Sequence, residues 1–261
     1  MSKTVANRID NQPCYVLSSS PWKESSLKIE VFSRDYGKVP LLARSARKPQ
    51  SVLRGVLMPF ARLSVSWFGS GELRTLHTAL WQGCHPRPQG KALLSGLYLN
   101  ELLLKLTACD DAHPELFDLF EKTIQCLCTL QNSHSIQLRL FEWQLLQILG
   151  FAPQITQDTQ GEAIQADQLY RIHSESLPQK CTQPLLAPDT VHVHGQSLID
   201  LHNLDLSRQA SRQELLNLNR MLLDFRISGG LSSRRLLTQI GQKKVPPEYP
   251  ASKNDYAKLN S

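Results

Sequence analysis

The period of the hydrophobic pattern changes once along this 261-residue chain, and that change limits what it can fold into. Before residue 83 apolar residues recur at every second position. Leu27, Ile29 and Val31 alternate with Lys28, Glu30 and Phe32, and Leu63, Val65 and Trp67 alternate with Arg62, Ser64, Ser66 and Phe68. A period of two belongs to half-buried strands, whose successive side chains point to opposite faces. Tyr15 to Ser18, Lys38 to Ala43 and Leu73 to Thr78 are three more strand candidates, with turns at Gly37 and Gly69-Ser70-Gly71. Five short strands in about 65 residues predict a small barrel. An OB-fold is the five-stranded barrel most often used to bind oligonucleotides, and an SH3-like barrel gives a similar pattern.

After a Gly/Pro-rich joint from Gly83 to Gly90 the period becomes about 3.6. Lys91 to Ala108 is Leu-rich, Pro114 to Leu130 starts with a proline suited to a first helical turn, and Ser135 to Leu149 stops at Gly150. Pro153, Gly161, Pro178, Pro184 and Pro188 then break the pattern, so residues 151–197 read as an irregular insertion with short strands near Tyr170 and Val191. Helix resumes where Ser211 and Glu214 have capping-box spacing ahead of Leu215, Leu218, Leu222 and Phe225 on one face. A break at Gly229-Gly230 and a short basic segment from Ser232 to Ile240 follow. The predicted class is α+β: an OB-fold barrel over 1–82, an α-helical domain over 83–241 containing the irregular insertion, and a disordered tail over 242–261.

Charge is distributed unevenly over these parts. Residues 1–80 hold twelve Lys/Arg against five Asp/Glu, and the remainder holds seventeen against eighteen. Between Arg34 and Arg62 there are seven cations (Arg34, Lys38, Arg44, Arg47, Lys48, Arg54 and Arg62) and one acid, Asp35. Such a run is either a solvated face or an anion-binding footprint. The segment Arg44 to Arg54 puts four of these cations and no acid on a flexible connection between strands, where they can follow phosphates. Single-strand binders add aromatic faces on which bases stack, and the barrel region supplies Trp22, Phe32, Tyr36, Trp67 and Phe68. Trp67 shares its face with Leu63 and Val65 and is assigned to the core. Phe32, opposite Val31, and Tyr36, in a turn, are the stacking candidates.

Other chemistry is poorly represented. Cys14, Cys84, Cys109, Cys126, Cys128 and Cys181 show no repeated pair spacing, and no secretory signal is recognisable, which predicts a reduced, cytoplasmic setting. The most apolar stretch, Ala92 to Ala108, contains Asn100, Glu101 and Lys105, so no membrane segment is predicted. Cys126 and Cys128 diverge by about 200° on a helix and read as inert thiols. Cys181, His192 and His194 lack an evident fourth metal ligand. No phosphate loop, G-x-S-x-G or H-E-x-x-H motif appears, so no catalytic residue, metal or cofactor is assigned.

Several blocks occur in an order that resembles the RecO family of recombination mediators. They are Pro21-Trp22-Lys23-Glu24-Ser25-Ser26-Leu27, Val31-Phe32-Ser33, Gly37-Lys38-Val39, Ala43-Arg44-Ser45-Ala46-Arg47 and Gly55-Val56-Leu57-Met58-Pro59-Phe60. Ser95 to Leu103, Leu138-Arg139-Leu140-Phe141-Glu142 and Leu149-Gly150-Phe151 continue the series, with Ser233-Arg234 a fainter match. The resemblance implies a non-enzymatic DNA repair and recombination protein, associated with the nucleoid. Such a protein binds single-stranded DNA, anneals complementary strands and, with RecR, helps load RecA onto strands coated by single-strand-binding protein. Double-stranded DNA is a secondary ligand on this reading.

The resemblance has limits in this chain. Some family members hold zinc with four cysteines after the third helix, where this chain keeps only Cys181. Gly229 and Ser232 stand where many relatives carry lysines, so no contact is carried over to those positions. The acidic tail of single-strand-binding protein is expected on the helical domain, at Arg139 beside Leu138 and Leu145. Two rival readings are an OB-type adaptor acting through protein contacts and a metal-dependent enzyme of the insertion.

Overall fold

In the computed structural model, which describes residues 8–83, 87–129, 134–183 and 189–236, the alternating segments form β1 (Arg8–Trp22), β2 (Ser26–Ser33) and β3 (Gly37–Ala43). A short helix, α1 (Leu53–Val56), precedes β4 (Arg62–Phe68) and β5 (Arg74–Trp81). The strands are arranged in the order β1-β2-β3-β5-β4, and β4 returns to β1 through pairs such as Gln12↔Val65. All neighbours are antiparallel except β3 and β5, which run parallel through Leu41↔Arg74 and Leu42↔Thr75. This is an OB-type barrel, with a Greek-key crossover.

The two faces of β1 and β2 enter different cores. Cys14, Val16, Ile29 and Val31 point into the barrel and pack with Val39, Leu41, Leu63, Val65 and Trp67. Burial pushes the Cys14 thiol up to about 12, so it stays protonated and inert. Tyr15, Leu17 and Phe32 point outward, yet they are buried because helices cover them.

Those helices are α2 (Lys91–Leu106), α3 (Pro114–Thr129) and α4 (His134–Ile148). Pro114 opens α3, where its missing N–H costs nothing. Gly150, at φ 71°, ends α4: its own N–H donates to Gln147 O and the Phe151 N–H donates to Leu146 O, the Schellman pattern. Beyond it, β6 (Leu169–His173), β7 (Gln179–Cys181) and β8 (Thr190–His194) form a small sheet in the order β7-β6-β8, followed by α5 (Gly195–His202) and α6 (Gln209–Arg226). The strands near Tyr170 and Val191 are those expected. The pattern gave no sign of α5, because a helix of eight residues completes barely two turns.

The capping-box expectation is corrected. Helix α6 begins at Gln209 after Arg208, without a side-chain cap. Ser211 lies inside the helix and donates to Asp200 Oδ2 at 2.6 Å, while Glu214 accepts from the His194 N–H at 2.9 Å. Leu215, Leu218 and Leu222 are buried, but Phe225 is half open beside His173 and Arg226. The tail expected over 242–261 lies outside the described residues.

Barrel and helices are joined by close contacts. The turn between β2 and β3 approaches the segment after α2 so nearly that a Cβ on Gly37, itself at φ 65°, would stand 1.9 Å from Asp111 O. The Asp110 N–H donates to Lys38 O, and Asn100 Nδ2 donates to Leu17 O at 3.0 Å. Phe32 and Tyr15 pack their rings on Phe117 and Phe120 of α3.

Candidate nucleic-acid interface

The basic run divides at the two ends of β3, a strand of seven residues spanning roughly 20 Å. At its start the cations are committed to the helices. Arg34 holds Asp118 with two hydrogen bonds, at 3.0 and 2.8 Å, and its guanidinium keeps the Asp118 carboxyl below the usual carboxylate range. Lys38 is 9 % exposed and its Nζ donates to Leu104 O at 2.6 Å. Arg74 pairs with Asp110 at 2.6 Å. Beside them on β4, Arg62 pairs with Glu121 at 2.6 Å, and the Tyr15 hydroxyl donates to the same carboxylate at 2.8 Å. Burial and that carboxylate push the Tyr15 phenol well above its usual range, so it stays a donor. Arg34, Lys38 and Arg62 therefore tie the barrel to the helices, which leaves them less free to meet phosphate than the cations at the other end of β3.

The other end of β3 is different. Arg44, Arg47, Lys48 and Arg54 are exposed, and among the described residues none is in an ion pair with an acid. Nor is their segment a flexible connection. The Lys48 N–H donates to Ser45 O, that of Ser51 to Lys48 O and that of Arg54 to Ser51 O, a run of closed turns leading into α1. The Arg47 N–H donates to Ser25 O at 2.8 Å and its Nη1 donates to Lys23 O at 3.2 Å, so the segment grips the β1–β2 hairpin. Cations set on a rigid support lose less freedom on meeting phosphate.

The two predicted stacking rings are placed differently. Phe32 is fully buried against α3, because the outward face of β2 meets helix rather than water. Tyr36 is half-buried, edge-on to Trp67 at 5.4 Å. The ring that does stand open beside the cations is Trp22, 39 % exposed at the end of β1, next to the Lys23 carbonyl that Arg47 holds. An aromatic residue opening a hairpin turn was the available signal. Alternation alone ranked it no higher than the other rings.

A second site lies between α4 and α6. Tyr98, Leu138, Arg139, Glu142, Leu216, Arg220 and Arg234 line a pocket of about 170 Å³. Its buried acid, Glu142, is occupied by the Tyr98 hydroxyl at 2.6 Å, by Asn219 Nδ2 at 3.1 Å and by Arg139. Three guanidiniums line the pocket against two carboxylates, since Arg139 is held by Glu142 and Arg234 pairs with Asp224 at 2.5 Å, so Arg220 supplies the net positive charge beside Leu138 and Leu216. Leu145 is fully buried and is removed from the expected docking set.

The candidate ligands of the insertion are engaged separately. Cys181 Sγ lies 3.6 Å from Leu169 O, and His194 Nδ1 sits 2.5 Å from Glu214 Oε1. Among the described residues no three His, Cys, Asp or Glu groups converge as metal ligands. In this segment Asp158, buried, instead accepts the Gln160 and Glu162 N–H groups at 2.9 and 3.0 Å and meets Lys180 at 3.3 Å. A four-thiolate site does not fit, and the purified protein is expected to contain no stoichiometric zinc. Elemental analysis checks this, and about one zinc per chain would overturn it. Among the described residues no helix is long and apolar enough to cross a membrane.

Comparison with known sequences agrees with the barrel-plus-helices arrangement. The family described as recombination protein O N terminal matches residues 8–83, and recombination protein O C terminal matches residues 87–235. The DNA repair protein RecO of Neisseria gonorrhoeae strain NCCP11945 is 48% identical over 242 residues, covering 90% of this chain and 96% of the relative. That of Neisseria meningitidis serogroup C is 46% identical over 243 residues, covering 90% of each chain. The one from Chromobacterium violaceum is 44% identical over 236 residues, covering 89% and 96%.

Proposed function

Because the chain belongs to the RecO family of DNA repair proteins, we propose that it binds single-stranded DNA along the Arg44–Arg54 segment and anneals complementary strands without a covalent step. The observation that carries this reading is the row of exposed, acid-free cations on closed turns beside Trp22. Two strands approach slowly because their phosphates repel. A surface that neutralises both removes that barrier, and base pairing then supplies the favourable free energy. Double-stranded product remains a weaker ligand of the same cations.

The test is an annealing assay with complementary oligonucleotides, bare and coated with single-strand-binding protein, together with binding isotherms over a range of salt. The expected result is acceleration on both substrates and affinity that falls steeply with salt. Undetectable or salt-insensitive binding would overturn the reading in favour of an adaptor working through protein contacts.

On coated strands the proposed handle is the acidic tail of single-strand-binding protein, seated in the pocket of Arg139, Arg220 and Arg234 with its apolar side chain against Leu138 and Leu216. From there the protein acts with RecR to help load RecA. Arg139→Ala is expected to weaken the tail peptide but also to leave Glu142 short of a partner in the interior. Arg220→Ala is the cleaner variant, since Arg220 is exposed. It should lower tail-peptide affinity about tenfold with an unchanged melting temperature, as expected for one charged hydrogen bond of about 1.5–3 kcal/mol. Calorimetry checks this, and unchanged affinity would move the tail elsewhere.

A further inference from the structure

A cleft of about 270 Å³ opens beside the free cations, between the start of β2 and the segment that contains α1. Its floor is apolar and nearly closed to water, with Ala46 1 % and Leu57 6 % exposed. Leu27 and Leu53, both half-buried, are its walls, and Arg47 and Arg54 stand at its mouth. No acid lines it, and none occurs anywhere between Arg44 and Gly71 in the sequence. The polar groups of its lining side chains are both guanidiniums, which donate and carry charge but cannot accept a hydrogen bond.

We propose that this cleft holds one unstacked nucleobase of the bound strand, its faces against Leu27 and Leu53 and its flanking phosphates on Arg47 and Arg54. The inference rests on the single-strand reading above and adds to it where a base goes. A strand drawn along Arg44, Arg47, Lys48 and Arg54 brings its bases to the same surface, while Phe32 is buried and Tyr36 stands half-buried against Trp67. Apolar surface along this row is offered by Trp22 on the hairpin rim, by exposed Val52 and by this cleft, and the hydrogen bond from Arg47 Nη1 to Lys23 O joins hairpin and cleft. A base has two flat apolar faces between anionic groups, and the cleft has the complementary arrangement of dry walls below paired cations. Its lining side chains offer donors only, and with both guanidiniums on the flanking phosphates the cleft grips a base by its faces and takes any of the four. One base held by its faces anchors the strand while its neighbours, pulled out of stacking, present their pairing edges to an incoming complement.

The test compares a labelled oligothymidylate with an abasic strand carrying the same number of phosphates. The wild-type protein is expected to prefer the base-bearing strand by at least about tenfold, in line with roughly 1–3 kcal/mol per stacked base. Leu53→Ser should lower affinity for the base-bearing strand about tenfold, leaving abasic affinity and the salt dependence of both unchanged. A strand with 2-aminopurine gives a readout on the unaltered protein, because its fluorescence should rise as the base leaves its neighbours. Equal wild-type affinity for the two strands overturns the cleft and leaves the phosphate reading intact. So does a Leu53→Ser effect seen only with an acidic peptide as competitor, which would give the cleft to a protein partner. Loss of salt dependence with both strands overturns the phosphate reading itself.

Discussion

With Arg44, Arg47 and Lys48 all changed to alanine, the protein is expected to bind single-stranded DNA roughly two orders of magnitude more weakly at about 0.1 M salt. Each phosphate neutralised on a single strand contributes about 0.7 to the log–log salt slope, which at that concentration is about fivefold in affinity. Three lost contacts therefore flatten the slope by roughly 2 and multiply to about a hundredfold. The loss should be similar for all sequences, because phosphates carry no base information. Annealing should slow in parallel. Fold stability should change by roughly 1 kcal/mol or less: the three side chains are exposed, and the one hydrogen bond given up is that of Arg47 Nη1 to Lys23 O. Trp22→Ala is the contrasting variant, expected to lose about 1–3 kcal/mol of affinity with the slope intact. Fluorescence anisotropy across a salt series distinguishes the two. A triple variant with wild-type affinity and slope would move the strand off this segment.

The largest stability effect is expected from Phe120→Ala, at about 3–5 kcal/mol. Phe120 is fully buried on α3, with its ring 5.3 Å from that of Tyr15 and 6.4 Å from those of Phe32 and Phe141. Two of these neighbours belong to the barrel and one to α4, so the cavity would open on the seam between the two parts. In a chain of this size the loss lowers the melting temperature by roughly 10 °C. Barrel and helices should melt together, because neither keeps a closed apolar surface without the other. Circular dichroism at the helical and strand wavelengths, recorded on one thermal scan, checks this. Separate transitions, or a loss under about 1 kcal/mol, would show that the seam is not a shared core.

That seam also marks the limit of what could be read from the sequence. Alternation identified the strands and the 3.6-residue period identified the long helices, because both report which side of an element avoids water. Neither reports what covers the other side. Phe32 looked free because it lies opposite Val31, and only the arrival of α3 on the outer face of β2 buries it. The same helix supplies Asp118 and Glu121, which turn Arg34 and Arg62 from free cations into ties. Local composition located the Arg44–Arg54 row, since its charge is decided within its own segment. Ser211 and Glu214 had the right spacing for a cap, but their partners, Asp200 and His194, lie on other elements. Trp22 required knowing that the hairpin tip stays uncovered.

The outward burial of Tyr15, Leu17, Phe32 and Phe60 has a consequence for the order in which the chain can be made. Tyr15 waits for Glu121, 106 residues further along, and Phe32 waits for Phe117 and Phe120. During synthesis from the N-terminus the five strands are complete long before α3 leaves the ribosome, at about 5–20 residues per second. For that interval the nascent barrel shows water a ring-rich apolar stripe that the finished protein hides, and pairing across such long separations is slow in itself. Slowed translation between residues 82 and 130 prolongs the exposure, and a holdase chaperone acting on this chain would find its target there, on the back of β1 and β2.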